Sequence, residues 1–407
     1  MRSERLVCTG CGCLCDDIQI EIDDARLGTI ENACAKGAAY IQSSFDTERR
    51  AKRTVRGQEC SLGNAIEEAK SVLFQARNPL IFGLDNSTSA AQALAFEIAQ
   101  KLGGSLDDAS SFSYGPLIER ILAKDLPTCS LSEIRDNADL LIYWGADPPN
   151  THPRHLSKYT YYAYSDYNPA GWFPKVTLTC IEVRQTELSS MCRPAFRIKP
   201  GGDMGFIKTV LGEAQDEEEM ARGFTEVIEK SHFCAIFCGL GMVHALDNDF
   251  SPFSKMVHIL GESTRIAVIP MIREANMRGF GQLLYEKTGY ANRVSFASGI
   301  ANGRAFSFLE QIRNRSTDCI LILGSDPLSA LPQSAMKNLE GTSLICLSPF
   351  GTPTTITADV VIPTALPGIE CGGSMLRMDG DMVALTGLRE GEYPTEEAIL
   401  RQFLESI

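Results

Sequence analysis

The sequence runs to 407 residues, more than one ordinary core of roughly 250–300 residues accommodates, so it is expected to divide into two or three α/β lobes. With 44% hydrophobic and 22% charged residues and no long polar or Pro/Gly-rich tract, it reads as a folded globular chain and not a disordered one. Its 51 acidic residues against 38 basic ones, a net charge of -13, leave no cationic face for a nucleic-acid backbone or an anionic membrane surface.

In chain order, the first feature is a cysteine-bearing head, expected over residues 1–54. Five of the fourteen cysteines (Cys8, Cys11, Cys13, Cys15 and Cys34) fall in its first 34 residues, where even scatter would place about one. The opening MRSERLVCTGCG has no signal-type apolar stretch, and no later apolar run reaches the roughly 18 residues of a membrane span. A cytoplasmic chain is therefore expected, in which clustered thiols do metal or redox work. The head ends in the charged run Asp46–Arg53, read as a solvated linker.

Beyond the head the pattern is repetitively α/β. Ile66, Ala69, Leu73 and Phe74 recur at helical spacing, Pro79–Gly83 reads as a buried strand, and Ala90–Leu102 as a second helix. Further apolar runs read as strands: Leu140–Trp144, Val176–Val183, Cys234–Cys238, Ile266–Ile269, Cys319–Leu323, Leu344–Leu347 and Val360–Ile362. Strands this apolar are covered by helices on both faces. The fold class expected is α/β, with doubly wound parallel sheets whose ligands lie outside the carboxyl ends of the strands. The expected domains are the head at 1–54, half of one α/β domain at 55–125, a second α/β domain at 126–289, and a return to the first at 290–407.

Two features carry chemistry. Cys8-x2-Cys11-x3-Cys15-x18-Cys34 supplies four soft ligands, three on a tight loop and one returned by a hairpin through Ile18–Ile30. Such a set suits a [4Fe-4S] cube; zinc, which more often takes paired CxxC knuckles, and a purely structural cluster are the alternatives. Cys13 is left as a spare thiol. Lys36, in Cys34-Ala35-Lys36-Gly37, can reach a second anionic cofactor from the cluster loop, or simply face solvent. The other feature is an echo: strand, then Gly145-Ala146-Asp147-Pro148, and strand, then Gly324-Ser325-Asp326-Pro327. Glycine admits a ligand to the backbone, aspartate can bond a ribose hydroxyl or a purine edge, and proline fixes the turn, so two sites for similar nucleotide-like ligands are expected.

Together with Thr352–Pro363, these segments resemble the molybdopterin oxidoreductases that include formate dehydrogenases. Within them the nearest resemblance is to the B subunits of archaeal formylmethanofuran dehydrogenases, carried by Cys15-Asp16-Asp17-Ile18, Tyr143–Pro148 with His152-Pro153-Arg154-His155, and Ile269-Pro270-Met271. The resemblance implies a molybdopterin oxidoreductase-like fold with a small amino-terminal iron–sulfur head. Its metal, molybdenum or tungsten, would be held by a bis-pyranopterin guanine dinucleotide and served by a [4Fe-4S] cluster on Cys8, Cys11, Cys15 and Cys34, with Lys36 between the two. It places Gly145, Asp147, Pro148, Gly324, Asp326, Thr354 and Thr355 at the dinucleotides. Arg184, whose fork suits phosphate or guanine oxygens, and Arg154 join them. His152 and His155 make an incomplete metal site.

At the family's metal-binding cysteine or selenocysteine, followed by histidine, this sequence has Ser113 and Tyr114. Serine is a harder oxygen donor than thiolate, and tyrosine, with a pKa of about 10 against about 6.5, exchanges protons less readily than histidine. Arg273 matches the arginine that would steer formate or carbon dioxide. The activity implied is ferredoxin-linked reversible reduction of CO2 to formate in a multi-subunit complex with amidohydrolase-like and ferredoxin-like subunits. A non-catalytic scaffold subunit of a formyltransferase/hydrolase-type complex, or a serine-ligated oxidoreductase of another substrate, are the alternatives that Ser113 and Tyr114 leave open.

Overall fold

The computed structural model describes residues 2–23, 26–165, 169, 176–389 and 391–407. The fold is α/β, with both mixed and all-parallel sheets. The chain divides into two compact units: the amino-terminal part to Phe112 with Glu274–Arg377 and Met382–Ile407, and Ser113–Arg273 with Met378–Asp381.

In the first unit, strands Arg2–Leu6, Ile18–Asp23 and Arg26–Glu31 form an antiparallel three-stranded sheet, followed by the helix Ala35–Ser44. The main sheet has nine strands. Its parallel centre runs Ser105–Asp107, Pro79–Gly83, Cys319–Leu323, Ser343–Ser348, Val360–Pro363, with antiparallel strands at both margins. The alternation of side chains explains why the runs are wholly apolar. Ile81, Leu321, Leu323, Ile345 and Ile362 face the helices Leu62–Gln75, Ser89–Leu102 and Glu396–Leu404, burying Leu73, Ala95 and Phe403 among others. Leu80, Phe82, Ile320, Ile322 and Cys346 face the opposite layer, built on Phe308, Ile312 and Leu339. From Pro79–Gly83 the chain moves outward to Ser105–Asp107, and from Cys319–Leu323 it moves the other way. The strand order therefore reverses between these two, which is where such sheets bind ligands.

The second unit is a five-stranded, all-parallel sheet in the order Ala195–Arg197, Thr177–Glu182, Leu140–Trp144, Phe233–Cys238, Arg265–Pro270. Its reversal lies between Leu140–Trp144 and Phe233–Cys238. Trp144 is fully buried edge-to-face with Phe206, Phe224 and Phe253, and its indole N–H donates to Asp203 at 2.7 Å.

The charged run Asp46–Arg53 departs from the expected solvated linker. Arg50 is only 5% exposed: its Nη2 donates to Glu370 Oε2 and to the Thr364 carbonyl, each at 2.9 Å, and Ala51 belongs to the core. Six of the eight residues in that run are charged, which masks the one that is paired by a carboxylate 320 positions away in sequence.

Candidate functional site

The first three cysteines of the set lie on the loop that joins Arg2–Leu6 to Ile18–Asp23, closed by Cys8 N–H to the Cys15 carbonyl (2.8 Å) and Leu14 N–H to that of Cys11 (3.1 Å). Leu14, at φ 40°, pins the loop by burying its side chain with Val7, Ala275 and Met375. Cys34 is the N-cap of Ala35–Ser44, its sulfur accepting from Gly37 N–H at 3.3 Å. A Cβ on Gly37 would stand 3.1 Å from Cys8 Sγ and 3.6 Å from Cys34 Sγ, so both sulfurs converge on this glycine.

Burial pushes the Cys8 thiol up to about 12, with Cys11 and Cys34 adding to it and Lys36 opposing. A hydrogen bond from Cys13 brings Cys11 down to about 7. Cys13, the spare thiol, is packed in the interior and bonded to Cys11. Sulfurs crowded in this way ionise together only around added positive charge, and an all-thiol donor set fits a soft or thiophilic metal group. Lys36, on the first turn of the helix, is exposed and within electrostatic reach of Cys8 and Cys11.

At the strand reversal of the first unit lies a cavity of about 700 Å³. Its apolar side includes Phe82, Phe112, Phe308 and Phe350; Phe82 and Phe308 stack at 4.1 Å. Its polar rim is built at the carboxyl ends of the strands. Gly324, at φ 56°, turns the chain out of Cys319–Leu323 while its N–H bonds the Leu347 carbonyl of the next strand at 3.2 Å. Asn86, past the end of Pro79–Gly83, donates to the Gly324 carbonyl at 3.0 Å and accepts from Ala275 N–H at 3.0 Å. Asp326 Oδ1 accepts from Thr354 N–H (3.0 Å) and Thr354 Oγ1–H (2.6 Å). Thr355 is used in the capping box that starts Pro353–Thr357 with Thr352.

Tyr40, one helical turn after Lys36, lines the same cavity, with its hydroxyl 3.3 Å from Thr9 Oγ1 and its ring 5.9 Å edge-on to Phe350. The Cβ position of Gly10 lies 3.4 Å from Cys8 Sγ and 3.6 Å from Tyr40 Cβ, so Tyr40 is the partition between thiol loop and cavity. Buried carboxyls stand behind the opposite wall. Burial, with Glu274 adding, holds Asp85 well above the usual carboxylate range; burial, then Asp85 and Asp107, does the same for Asp108. Burial pushes Asp107 to about 7 although Phe308 N–H and Ser111 Oγ–H donate to it. Burial also brings Glu396, on the cavity rim, to about 7, with the Ser87 hydroxyl opposing.

The second unit repeats the turn. Gly145 has φ 58° and donates to the Ile181 carbonyl of the neighbouring strand at 3.0 Å; a Cβ there would meet Met242 N at 2.4 Å. Asp147 and Asp326 share backbone geometry, φ/ψ -124°/73° and -126°/67°, and each is followed by proline at the start of a short helix. Both neighbouring strands then lead to a threonine capping box, Thr186 with Ser189 and Thr352 with Thr355. Asp147 Oδ2 accepts from Asn150 at 2.8 Å and lies 3.8 Å from Arg184, whose side chain is 73% exposed. Pro148 is buried and Arg154 half-buried. His152 and His155 do not pair as ligands: His152 Nε2 donates to the Ile272 carbonyl at 2.7 Å, and His155 packs edge-on to Phe237 in the core, its imidazole held neutral by burial.

Ser113 is half-buried, and Tyr114 is buried as the N-cap of Gly115–Leu122. Arg273 is exposed just past Arg265–Pro270. Ser113 opens the second unit after Phe112, and Arg273 closes its long segment before Glu274, so both flank chain crossings. Tyr40, Asn86, Asp85 and Glu396 were missed in the sequence. Only Tyr40 left a signal there, its i+4 spacing from Lys36; the others meet the turn from remote segments.

No protein-family model matches the chain. It is 28% identical to the B subunit of the tungsten-containing formylmethanofuran dehydrogenase 2 of Methanocaldococcus jannaschii, over 97% of this chain and 96% of that protein. It is 25% identical to the protein of the same name from Methanococcus maripaludis, over 94% of this chain and 93% of that one. The resemblance carried by the cysteine head and the two turns thus extends along nearly the whole sequence. Among solved structures, the formyltransferase/hydrolase complex (FhcABCD) from Methylorubrum extorquens with methylofuran contains a chain matching 86% of this one and 97% of its own length, at TM-score 0.70 and 21% identity. Acetylene hydratase from Pelobacter acetylenicus matches 99% of this chain and 69% of its own, at TM-score 0.64 and 13% identity. At these identities the structures speak to the fold. Among the described residues, no helix is long and apolar enough to cross a membrane.

Proposed function

We propose that the chain is the B subunit of a formylmethanofuran dehydrogenase-type complex, reversibly reducing CO2 to formate at molybdenum or tungsten held by two pyranopterin guanine dinucleotides, with a [4Fe-4S] cluster on Cys8, Cys11, Cys15 and Cys34. The observation that carries this reading is the recurrence of one nucleotide-type turn, with matching dihedrals, at the strand reversal of both sheets. The full-length likeness to tungsten-containing B subunits supports it independently.

When bound, the cluster would pass single electrons and the pterin-held metal would take them in pairs, matching CO2 + 2e⁻ + H⁺ → HCO2⁻. The chain's own residues position and select. Gly145 and Gly324 keep the turns open to a ligand, and Asp147, Arg184 and Arg154 offer polar contacts at the second turn. Thr354 and Thr355 fix the first turn, Tyr40 lies between thiols and cavity, and Lys36, one helical turn before it, would serve between the cluster and the pterin. Arg273 supplies fixed positive charge for a carboxylate, Ser113 an oxygen donor for the metal, and the Tyr114 phenol a group that can hold a proton beside it. The partners proposed are an amidohydrolase-like subunit that condenses formate with methanofuran and a ferredoxin-like electron donor, in the cytoplasm.

Ser113 and Tyr114, in place of thiolate and imidazole, favour a second reading, a scaffold subunit without redox chemistry. Anaerobic purification of the complex decides between them. Iron, sulfide and tungsten or molybdenum together with formate-dependent viologen reduction support the first reading. A protein free of all of these is the scaffold, and a metal-loaded protein inert to formate is an oxidoreductase of another substrate.

A further inference from the structure

We propose that Asp85, Asp107 and Asp108 form the proton store of the reaction, lending the proton that CO2 reduction consumes and taking up the one that formate oxidation releases. The inference deepens the preceding reading and rests on it. These acids belong neither to the thiol set nor to either Gly-x-Asp-Pro turn; the main sheet brings them together. In the parallel register Asp107 lies opposite Phe82, so Asp108 and Asp85 follow at the carboxyl ends of neighbouring strands. Ala109 N–H, next in the chain after Asp108, donates to the Asp85 carboxyl.

All three are buried, yet the set has two ends. Asp85 lines the cavity with Asn86, Glu274 and Phe112, the residue before Ser113 in the sequence. Asp107 accepts from the Ser111 hydroxyl at 3.0 Å and from Arg293 N–H at 3.2 Å; both residues are half-buried, so Asp107 is the member next to solvent. Asp108 Oδ1 accepts from the Ser110 hydroxyl, whose oxygen accepts from Asn292 at 2.9 Å, and Asp108 Oδ2 is buried without a hydrogen-bond partner among the described residues.

Arg293 offers Asp107 positive charge, while Glu274 adds negative charge beside Asp85 and Asp108. Ionised carboxylates are costly in such a place, and bound protons remove the cost. Asp85 and Asp108 are therefore held as neutral acids, whereas Asp107, raised by burial to about 7 against its donors, can give and take a proton near neutrality. Among the described residues no three of these carboxyls, Glu274 included, present oxygens within 4.8 Å of one another, so a metal ion does not take the protons' place. In formate oxidation the C–H bond of formate breaks, two electrons pass on to viologen, and the proton goes to Asp85. Asp85 gives its own proton to Asp108, Asp108 gives its own to the Asp107 carboxylate, and Asp107 releases one to solvent past Ser111. The balance is HCO2⁻ + 2V²⁺ → CO2 + 2V⁺ + H⁺, and CO2 reduction runs the same transfers backward.

The test uses the purified complex. At about pH 8, roughly a unit above the Asp107 value, its infrared spectrum should show the C=O stretch of neutral buried acid, shifted in D2O. Asp85→Asn and Asp108→Asn should each remove part of that band, and a further part, missing in Asp107→Asn, should appear as the pH falls through about 7. Formate-dependent viologen reduction by the wild type should rise through about pH 7, as Asp107 becomes able to accept a proton. In Asp107→Asn it should be roughly 100-fold slower and lack that rise. Asp107→Glu, which keeps the acid, should restore the rise and so controls for misfolding. A complex that oxidises formate with the wild-type rate and pH profile in Asp85→Asn and Asp107→Asn, or that shows no neutral-acid band at about pH 8, overturns the inference and leaves the underlying reading standing. A wild-type complex inert to formate overturns both.

Discussion

Gly37→Ala sets helix propensity against packing. Gly37 occupies the first turn of Ala35–Ser44, where replacing glycine by alanine ordinarily adds up to about 1 kcal/mol. Here the new Cβ would stand 3.1 Å from Cys8 Sγ and 3.6 Å from Cys34 Sγ. Cys8 has little room to yield, since its N–H is bonded to the Cys15 carbonyl at 2.8 Å and its side chain is buried. Overpacking of this kind costs about 2 kcal/mol, which outweighs the helix gain by about 1 kcal/mol, roughly five-fold in retention of whatever the sulfurs hold. The assay is iron and acid-labile sulfide per chain after anaerobic dilution, with Gly10→Ala as a partner variant. At Gly10 the nearest atom, again Cys8 Sγ, is 3.4 Å away, an ordinary contact, and iron should stay at the wild-type level. Gly37→Ala retaining iron as well as Gly10→Ala would refute the convergence of Cys8 and Cys34 on one bound group.

Arg50→Met leaves the 3%-exposed Glu370 side chain with Arg389 as its remaining cation, and should lower the thermal midpoint by about 10 °C; an unchanged midpoint contradicts the buried pairing. Tyr40→Leu should admit water to Cys8 and raise the cluster's midpoint potential in an EPR-monitored titration, because water favours the more highly charged reduced state. Tyr40→Phe loses only the 3.3 Å bond to Thr9 and should leave the potential unchanged; equal potentials in Leu and Phe would remove the partition. Glu396 and Asp107 are both raised to about 7, so each binds more protons folded than unfolded, and their contribution to stability is present at about pH 4 and lost as pH rises to about 7. Glu396→Gln should therefore flatten the fall in thermal midpoint between about pH 4 and 7; a slope identical to wild type contradicts the burial argument.

The strands were legible because a strand buried on both faces leaves no polar residue in its run. Pro79–Gly83, Leu140–Trp144 and Cys319–Leu323 appear with the expected bounds. Expected Val176–Val183 is Thr177–Glu182, and expected Ala90–Leu102 starts one residue earlier, at Ser89, after the cap Thr88. The two Gly-x-Asp-Pro turns were legible because a left-handed glycine and a fixed proline are local requirements. What local pattern cannot report is who fills an acceptor. That Asp326 is engaged by Thr354, that Glu396 reaches the turn from the carboxyl-terminal helix, and that Arg50 is buried all depend on pairings across the fold. Asp85 and Asn86 escaped notice for the same reason. Their segment looks like an ordinary strand-to-helix loop until the reversal of strand order puts it opposite Gly324.

The most direct measurement of the central claim is the composition of the anaerobically purified complex, quantified per copy of this chain. The account predicts four iron, four sulfide, two GMP and one tungsten or molybdenum for each chain, as the proposed cofactor set requires, with about that stoichiometry surviving gel filtration. A colourless preparation that folds and assembles yet contains neither iron nor guanine nucleotide would contradict it.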